Sequence, residues 1–299
     1  ETQIKSALDK HPNLRAASEI LHSDIVVTPD DKVSAALRKA KTSSMGMAIN
    51  AVKSGDASAA VSGGNTGALM ATAKLALRTM PGIDRPALSA LLPTLEDTDV
   101  VMLDLGANTE CEAKNLVQFA IMGAAYSRII FGFDRPRVRL LNIGTEEMKG
   151  TESLRDAAQH LRDATGLHMD FQGFVEADKI NRGECDVVVC DGFTGNIALK
   201  SIEGTARFVT DLLRRAFTSS IRSKFGFLVS RPATELLRHH LDPNNHNGAV
   251  FMGLNGVVVK SHGSANIKGV AHAVEVAARL VEEDITARIT QDLARVQAG

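Results

Sequence analysis

The sequence is poor in residues that several classes of protein require. It has no tryptophan and one tyrosine among 299 residues, so the aromatic platforms that stack on single-stranded nucleic acid are not expected. The formal net charge of -1 also provides no general attraction to nucleic acid. Three cysteines give no framework of paired disulfides and are typical of a reducing compartment. No apolar run reaches the roughly 18 residues of a membrane-spanning helix, and no signal peptide is recognisable, so we expect no membrane span.

Sequence patterns for metals and nucleotide cofactors are missing as well. His239, His240 and His246 match no spacing of zinc ligands, and no cysteine lies near them. The turn Ser62–Gly67 lacks the glycine spacing of a dinucleotide fingerprint, and in Gly144–Thr151 the lysine precedes the glycine that it should follow in a phosphate-binding P-loop. We therefore expect no metal and no cofactor, and a nucleotide-dependent dehydrogenase is the weakest interpretation.

The sequence is rich in apolar residues, at 44%, and has 24 glycines that mark tight turns. Five short apolar runs, beginning at Ala59, Val100, Val138, Val187 and Val257, each lead into a polar, glycine-containing turn, and helical patterns follow. Uninterrupted Val, Ile and Leu runs are typical of strands that are buried on both faces. The pattern predicts a mainly parallel sheet with helices on both sides, a doubly wound α/β/α sandwich. A further helix is predicted over Ser34–Lys41.

The turns after these strands form the candidate site. Backbone N–H groups at a helix start favour an anion, and parallel strands present such turns at one edge of their sheet. We therefore expect the five turns to gather at one edge. The candidate binding residues are Gly63, Gly64, Asn65, Thr66, Gly106, Asn108, Gly144, Lys149, Asp191, Gly192, Thr194, Gly195 and Ser264. The candidate catalytic residues are Asn196, Lys200, Lys260 and His262.

A basic stretch of different character lies between residues 207 and 240. It carries seven lysine or arginine residues against two acidic ones, with apolar residues among them. This composition favours a helical hairpin, over about 207–245, whose tip meets anionic lipid or an acidic protein. The residues predicted to make this contact are Arg222, Lys224, Phe225, Phe227 and Leu228. A dimer interface or an ordinary solvated helix would have a similar composition.

Five longer segments carry a family resemblance. They are Ser62–Ala71, Leu103–Asn108, Leu140–Gly150, Cys190–Lys200 and Gly253–Asn266. In this order, and over nearly the whole chain, they resemble the bacterial acyl-acyl-carrier-protein:phosphate acyltransferases of phospholipid synthesis, the PlsX family. The resemblance implies a homodimer with a fold similar to that of phosphotransacetylases and of isocitrate and isopropylmalate dehydrogenases.

The resemblance also implies an activity and a location. The family converts a long-chain acyl-acyl carrier protein and inorganic phosphate into acyl phosphate and free carrier protein, and it associates peripherally with the inner face of the cell membrane. The expected partners are therefore acyl carrier protein, inorganic phosphate, a second copy of the chain and an anionic membrane. Because phosphate is itself the nucleophile, the protein has to supply placement and charge. Backbone N–H groups would bind phosphate, the lysines would add charge, and His262 would orient phosphate or carry a proton.

Other interpretations stay open at this point. A phosphotransacetylase that acts on acyl-coenzyme A would use neighbouring chemistry, and a non-catalytic membrane scaffold that binds carrier protein would need no reaction at all. The opening strand and Asp-Ala-Met-Gly-Gly-Asp loop of the family have no counterpart here, so we expect a preceding segment. The whole of residues 1–299 is otherwise expected to form one α/β catalytic domain.

Overall fold

The computed structural model describes residues 1–28, 38–39 and 41–298, and the helix predicted over Ser34–Lys41 lies largely outside these ranges. The strands are β1 (Ala59–Ser62), β2 (Ala87–Leu92), β3 (Val100–Leu103), β4 (Arg137–Leu141), β5 (Asp170–Val175), β6 (Val187–Val189), β7 (Ala249–Met252) and β8 (Val257–Lys260). The helices are α1 (Thr2–Leu8), α2 (Pro12–Ala16), α3 (Ser44–Ser54), α4 (Thr66–Leu77), α5 (Ala113–Phe131), α6 (Glu152–Asp163), α7 (Gly192–Thr218), α8 (Ile221–Val229), α9 (Arg231–His240), α10 (Ile267–Glu282) and α11 (Ile285–Ala298). Short 3₁₀-helices span Ala177–Arg182 and Pro243–His246.

The eight strands form one sheet in the order β1-β8-β7-β2-β3-β6-β4-β5. The five predicted strands are present as β1, β3, β4, β6 and β8. They fall into two parallel groups, β1 with β8 and β3, β6, β4 with β5. Three successive antiparallel pairings, β8 with β7, β7 with β2 and β2 with β3, separate the groups, which therefore run in opposite directions. The prediction that all five turns share one edge of the sheet is consequently wrong.

Helices cover both faces of the sheet, as the apolar strands predict. Alternate residues of β3 enter two different cores, Val101 and Leu103 on one face and Val100 and Met102 on the other. The first face packs against α5, α6, α10 and α11. The second packs against α3, α4 and the start of α7. This arrangement confirms the doubly wound α/β/α architecture.

Several helices start where the sequence offers a capping side chain. Asn65, Thr151, Asp191 and Asn266 precede α4, α6, α7 and α10, and the side-chain oxygen of each accepts a hydrogen bond from a backbone N–H group of the first helical turn. Such a cap stabilises a helix by about 1 kcal/mol. The caps therefore fix where three of the helices next to the cavity begin.

The basic stretch is helical. The long helix α7 buries only Gly192 and Gly195, both in its first turn, and α8 buries none of its residues. Phe217 of α7 packs on Phe227 of α8 with ring centroids 5.3 Å apart. We call α7 beyond residue 207, together with α8 and α9, the helical arm.

Candidate functional site

A cavity of about 1940 Å³ lies over the sheet face that α4 and α7 flank. Its floor includes alternate residues of two neighbouring strands, Leu88, Ala90 and Leu92 of β2 and Ala249 and Phe251 of β7. Alternate strand residues share one face, so the cavity sits on the face of the sheet and not at its edge. Turns from both ends of the sheet border it for this reason.

The cavity brings together part of the predicted site. The candidate residues in its lining are Thr66, Gly106, Asp191, Thr194, Asn196, Lys200, Lys260, His262 and Ser264. Most of the remaining wall is apolar, with Met70 of α4, Leu141 of β4 and Ile202 of α7 among its side chains. A space with cations and amides in one part and hydrocarbon elsewhere suits an amphipathic ligand with an anionic group.

The turn after β3 does not offer the free N–H groups that the sequence predicted. The carboxylate of Asp104 accepts hydrogen bonds from the backbone N–H groups of Gly106, Ala107 and Asn108 at 3.2, 3.0 and 2.7 Å. It also accepts one from the N–H of Leu88 on β2 at 3.0 Å. Burial raises the pKa of Asp104 above its ordinary value, and the hydrogen bonds from Ala107, Leu88 and Asn108 offset this rise only in part. The protein's own carboxylate thus occupies the N–H groups of Gly106 and Asn108, and a role of these residues in anion binding stays a prediction.

The start of α7 is also occupied. Asp191 accepts from the N–H of Thr194 at 2.9 Å and from its hydroxyl at 2.6 Å, and the N–H of Gly192 donates to the carbonyl of Asn108 at 2.7 Å. A Cβ atom at Gly195 would collide with the carbonyl of Asp104 and lie 2.7 Å from the Cys190 sulfur. Asp191, Gly192, Thr194 and Gly195 thus fix α7 against the β3 turn. Their binding of an anion stays a prediction, which this capped and packed helix start does not favour.

The turn after β4 lies outside the cavity lining at both of its predicted residues. Lys149 pairs with Glu146 at 2.8 Å, which raises the pKa of Lys149 through a hydrogen bond and through charge. A Cβ atom at Gly144 would lie 2.6 Å from the Glu146 carboxylate and 2.8 Å from the Lys149 ammonium, so this turn is filled by its own ion pair. The roles of Gly144 and Lys149 in phosphate binding stay a prediction, which their position outside the cavity lining does not favour.

The turn after β1 keeps N–H groups available. Asn65 caps α4 through the N–H of Ala68 at 2.9 Å, and Gly64 donates to the hydroxyl of Ser62 at 3.2 Å. In the part of the chain that the structure describes, the N–H groups of Gly63, Thr66 and Gly67 make no hydrogen bond. Of the three, Thr66 and Gly67 line the cavity. The start of α4 is thus the N–H site that the geometry supports. Asn65 caps this helix start, and Gly63 lies outside the cavity lining.

The turn after β8 lies beside the β1 turn. The N–H of Ser261 donates to the carbonyl of Ser62 at 2.9 Å, so the β1–β8 pairing continues into the turns. Nδ1 of His262 lies 2.8 Å from the hydroxyl of Ser264 and accepts the N–H of Ser264 at 3.2 Å. In a neutral ring the proton is then on Nε2. Lys260, His262 and Ser264 all line the cavity, as predicted.

The helix α7 brings two more predicted residues into the same cavity. Asn196 lies against Gly106, where an added Cβ atom would be 3.6 Å from that of Asn196, and among the described residues its amide has no hydrogen-bond partner. Lys200, one turn further on, pairs with Glu203 at 2.8 Å. Burial, and then the charge of Lys200, lowers the pKa of Lys260. Both lysines line the cavity, although β6, which precedes α7, and β8 run in opposite directions.

Two side chains that organise the site were not predicted. Asp104 ties the β3 turn to β2, and the buried Asn247 ties the β8 turn to α10. An Asp before a Gly-Ala-Asn turn is a recognisable capping signal, whereas Asn247 has no signal in the sequence because its partners lie 14 to 22 residues away. In the described residues, no group of three His, Cys, Asp or Glu side chains is placed to hold a metal.

Comparisons with known proteins identify the family. Residues 1–288 match the model of the fatty acid synthesis protein family. A phosphate acyltransferase of Erythrobacter litoralis is 76% identical over 296 residues, which are 99% of this chain and 83% of that protein. A phosphate acyltransferase of Parvibaculum lavamentivorans is 53% identical over 99% of this chain and 82% of its own length.

The chain belongs to the phosphate acyltransferase family.

Membership confirms the resemblance that the five sequence segments indicated, and with it the prediction of an enzyme of the phosphate acyltransferase type.

The fold likewise matches solved structures. EutD phosphotransacetylase from Staphylococcus aureus is similar with a TM-score of 0.53 at 18% identity, over 94% of this chain and 84% of that chain. A phosphotransacetylase from Streptococcus pyogenes is similar with a TM-score of 0.53 at 20% identity, over 79% of this chain and 66% of that chain. At these identities the likeness shows a shared fold, which is the one predicted.

Proposed function

We propose that this member of the phosphate acyltransferase family transfers a long-chain acyl group from acyl carrier protein to inorganic phosphate. The products are acyl phosphate and free carrier protein, and the acyl phosphate serves phosphatidic acid synthesis. The observation that carries the proposal is the composition of the cavity over β2 and β7. It combines Lys200, Lys260, His262 and the start of α4 with walls that are mostly apolar. An anion and a hydrocarbon chain are the two features of these substrates.

In this proposal phosphate binds between the start of α4 and the turn after β8. The free N–H groups of Thr66 and Gly67 donate to phosphate oxygens, as helix starts do to anions. Lys260 and Lys200 add charge, and the lowered pKa of Lys260 follows from burial and from its neighbour. Nε2 of His262 donates its proton to the phosphate or to the oxyanion, since Nδ1 is already held by Ser264.

The reaction needs no covalent enzyme intermediate. A phosphate oxygen attacks the thioester carbonyl carbon, a C–O bond forms, and the C–S bond then breaks. The thiolate leaves with the bonding electron pair and takes up a proton to become the thiol of the carrier, whose pKa is about 8.5. Asn196, whose amide has no partner among the described residues, is positioned to donate to the oxyanion of the tetrahedral intermediate.

The test is phosphate-dependent release of carrier thiol from palmitoyl-acyl carrier protein, with acyl phosphate detected by phosphorus NMR. We expect both signals to require phosphate, and palmitoyl-coenzyme A to be a much poorer donor. Equal rates with coenzyme A would favour a phosphotransacetylase-like activity instead. Absence of acyl phosphate with either donor would refute the proposal and favour a binding scaffold.

We further propose that the helical arm contacts an anionic membrane at the inner face of the cell membrane. Among the described residues no helix is long and apolar enough to cross a bilayer. Phe225 is 68% exposed and Leu228 is 64% exposed, and Phe227 lies between them, while Arg222 and Lys224 stand on the same short helix. Apolar residues among cations suit the surface of an anionic membrane. The family resemblance supports a homodimer, which we propose as the working state.

Vesicle binding tests the membrane contact. We expect the protein to cosediment with phosphatidylglycerol vesicles more than with phosphatidylcholine vesicles, and Phe225→Asp to weaken this binding. Leu75→Asp is the matched control, because Leu75 of α4 is 64% exposed and lies outside the arm. Equal loss in both variants would argue against a specific role of the arm.

A further inference from the structure

We propose that Asn247 is a positioning residue for the phosphate end of the cavity. It acts by holding the backbone of His262, so that the His262 ring faces the phosphate. The inference rests on the proposed function of that end of the cavity. Asn247 lies between the 3₁₀-helix Pro243–His246 and β7, and it is 7% exposed.

The carboxamide of Asn247 uses both of its N–H donors and its oxygen. Nδ2 donates to the hydroxyl of Ser261 at 2.8 Å and to the carbonyl of Gly269 at 2.7 Å. The oxygen Oδ1 accepts the backbone N–H of His262 at 2.8 Å. One side chain therefore ties together the turn after β8 and the first turn of α10.

The turn depends on this side chain because the sheet ends before it. The β1–β8 ladder ends at Lys260, and the N–H of Ser261 is the last group to bond across to β1. The next N–H group along the chain, that of His262, has Asn247 as its partner. The backbone at His262 is therefore fixed by Asn247 and not by the sheet.

The position of Asn247 is itself fixed from the opposite side. Its backbone carbonyl is 2.6 Å from Nδ1 of His272 on α10. The next residue, Gly248, has a φ of +118°, and a Cβ atom there would lie 3.1 Å from the Cα of Ala273. The chain thus presses closely on α10 at a backbone conformation that other residues rarely adopt. Asn247 is held rigidly enough to orient a neighbour.

Two measurements on Asn247→Ala test the proposal. The first is the KM for phosphate, which we expect to rise at least about tenfold, since three hydrogen bonds are lost, while the KM for the acyl donor stays within about twofold. The second is the rise in melting temperature caused by inorganic phosphate, which we expect to shrink in the variant. The second measurement needs no turnover. If wild type is stabilised by phosphate but forms no acyl phosphate, the proposed function fails while the role of Asn247 is still measured.

Asn255→Ala is the matched control. The Asn255 carboxamide donates to the carbonyls of Leu77 and Thr79 at 3.1 and 2.9 Å, but it does not line the cavity. We expect it to lower the melting temperature, by less than Asn247→Ala because Asn255 is exposed, while leaving the phosphate KM unchanged. A general loss of packing would instead move both variants alike.

A double variant distinguishes an effect of Asn247 that is exerted through His262 from an effect on phosphate binding that is independent of His262. If Asn247 acts through His262, then Asn247→Ala combined with His262→Ala has the same phosphate KM as His262→Ala alone. Additive effects would overturn the proposal, and so would a single variant Asn247→Ala whose phosphate KM stays within twofold of wild type. If Asn247→Ala does not fold, Ser261→Ala removes one partner of the carboxamide. It is then expected to raise the phosphate KM about threefold, and an unchanged KM would refute the role.

Discussion

Replacing Lys260 by methionine tests the assignment of the phosphate end most directly. The ammonium group of Lys260 lies at the end of β8, lines the cavity and donates a hydrogen bond to the carbonyl of Ser261. Burial, followed by the charge of Lys200, lowers its pKa, so the group sits where a charge is poorly solvated. A bound phosphate dianion would compensate for that lost solvation. Methionine keeps a similar length and removes only the charge and the donor.

The expected loss can be estimated from this environment. A hydrogen bond to a charged group contributes about 1.5–3 kcal/mol net. A loss of about 2–3 kcal/mol corresponds to a fall of roughly 30- to 150-fold in kcat/KM for phosphate. The assay is phosphate-dependent release of carrier thiol, with phosphate varied at a fixed saturating acyl donor. Because the acyl chain is proposed to bind the apolar walls and not Lys260, the KM for the acyl donor should change by less than about threefold.

Lys149→Met is the matched control, because Lys149 and Lys260 occupy similar positions in the sequence. Each follows an apolar strand and lies near a glycine turn, yet Lys149 pairs with Glu146 outside the cavity lining. Both partners of this ion pair are exposed to solvent, which screens their attraction, so this variant should keep kcat/KM within about twofold of wild type. If Lys149→Met costs as much as Lys260→Met, the cavity is not the phosphate site. Wild-type kinetics in Lys260→Met would refute the assignment equally.

Three further predictions concern other parts of the site. Lys200→Met should move the alkaline fall of kcat/KM for phosphate to higher pH. The charge of Lys200 lowers the pKa of Lys260, so removing that charge lets the pKa of Lys260 rise. A pH profile whose alkaline fall stays at the same pH would contradict this effect of Lys200 on Lys260. Ala90→Leu fills the cavity floor over β2 and should lower kcat/KM for palmitoyl more than for octanoyl carrier protein, since each buried CH₂ contributes about 0.8 kcal/mol; equal losses would show that the acyl chain does not lie there. Asp191→Ala should reduce the free energy of unfolding by about 1 kcal/mol in denaturant titrations, through loss of the α7 cap, and an unchanged midpoint would mean that the Thr194 hydrogen bonds are replaced by water.

The family and the kind of fold could be predicted from the sequence alone. Continuous apolar runs such as Val187–Val189 and Val257–Val259 specify strands buried on both faces, and this requirement is local to each run. The capping residues Asn65 and Asp191 also act within three residues along the chain, so the starts of α4 and α7 were recognisable. The five long segments identified the family, and each contains the turn that follows a strand.

The site itself was decided by contacts between distant segments. The strands β2 and β7 were not predicted, and their antiparallel pairings reverse one parallel group against the other. The turns therefore meet over a face of the sheet and not along one edge. Whether an N–H group is free to bind an anion depends on its partners in space. The carboxylate of Asp104 accepts the N–H groups of the β3 turn and that of Leu88, which is 16 residues away. Among the described residues, by contrast, the N–H of Thr66 has no partner. Hydrogen-bond partners across such separations are set by packing, and for this reason only the tertiary structure could distinguish the turns that bind from the turns that support.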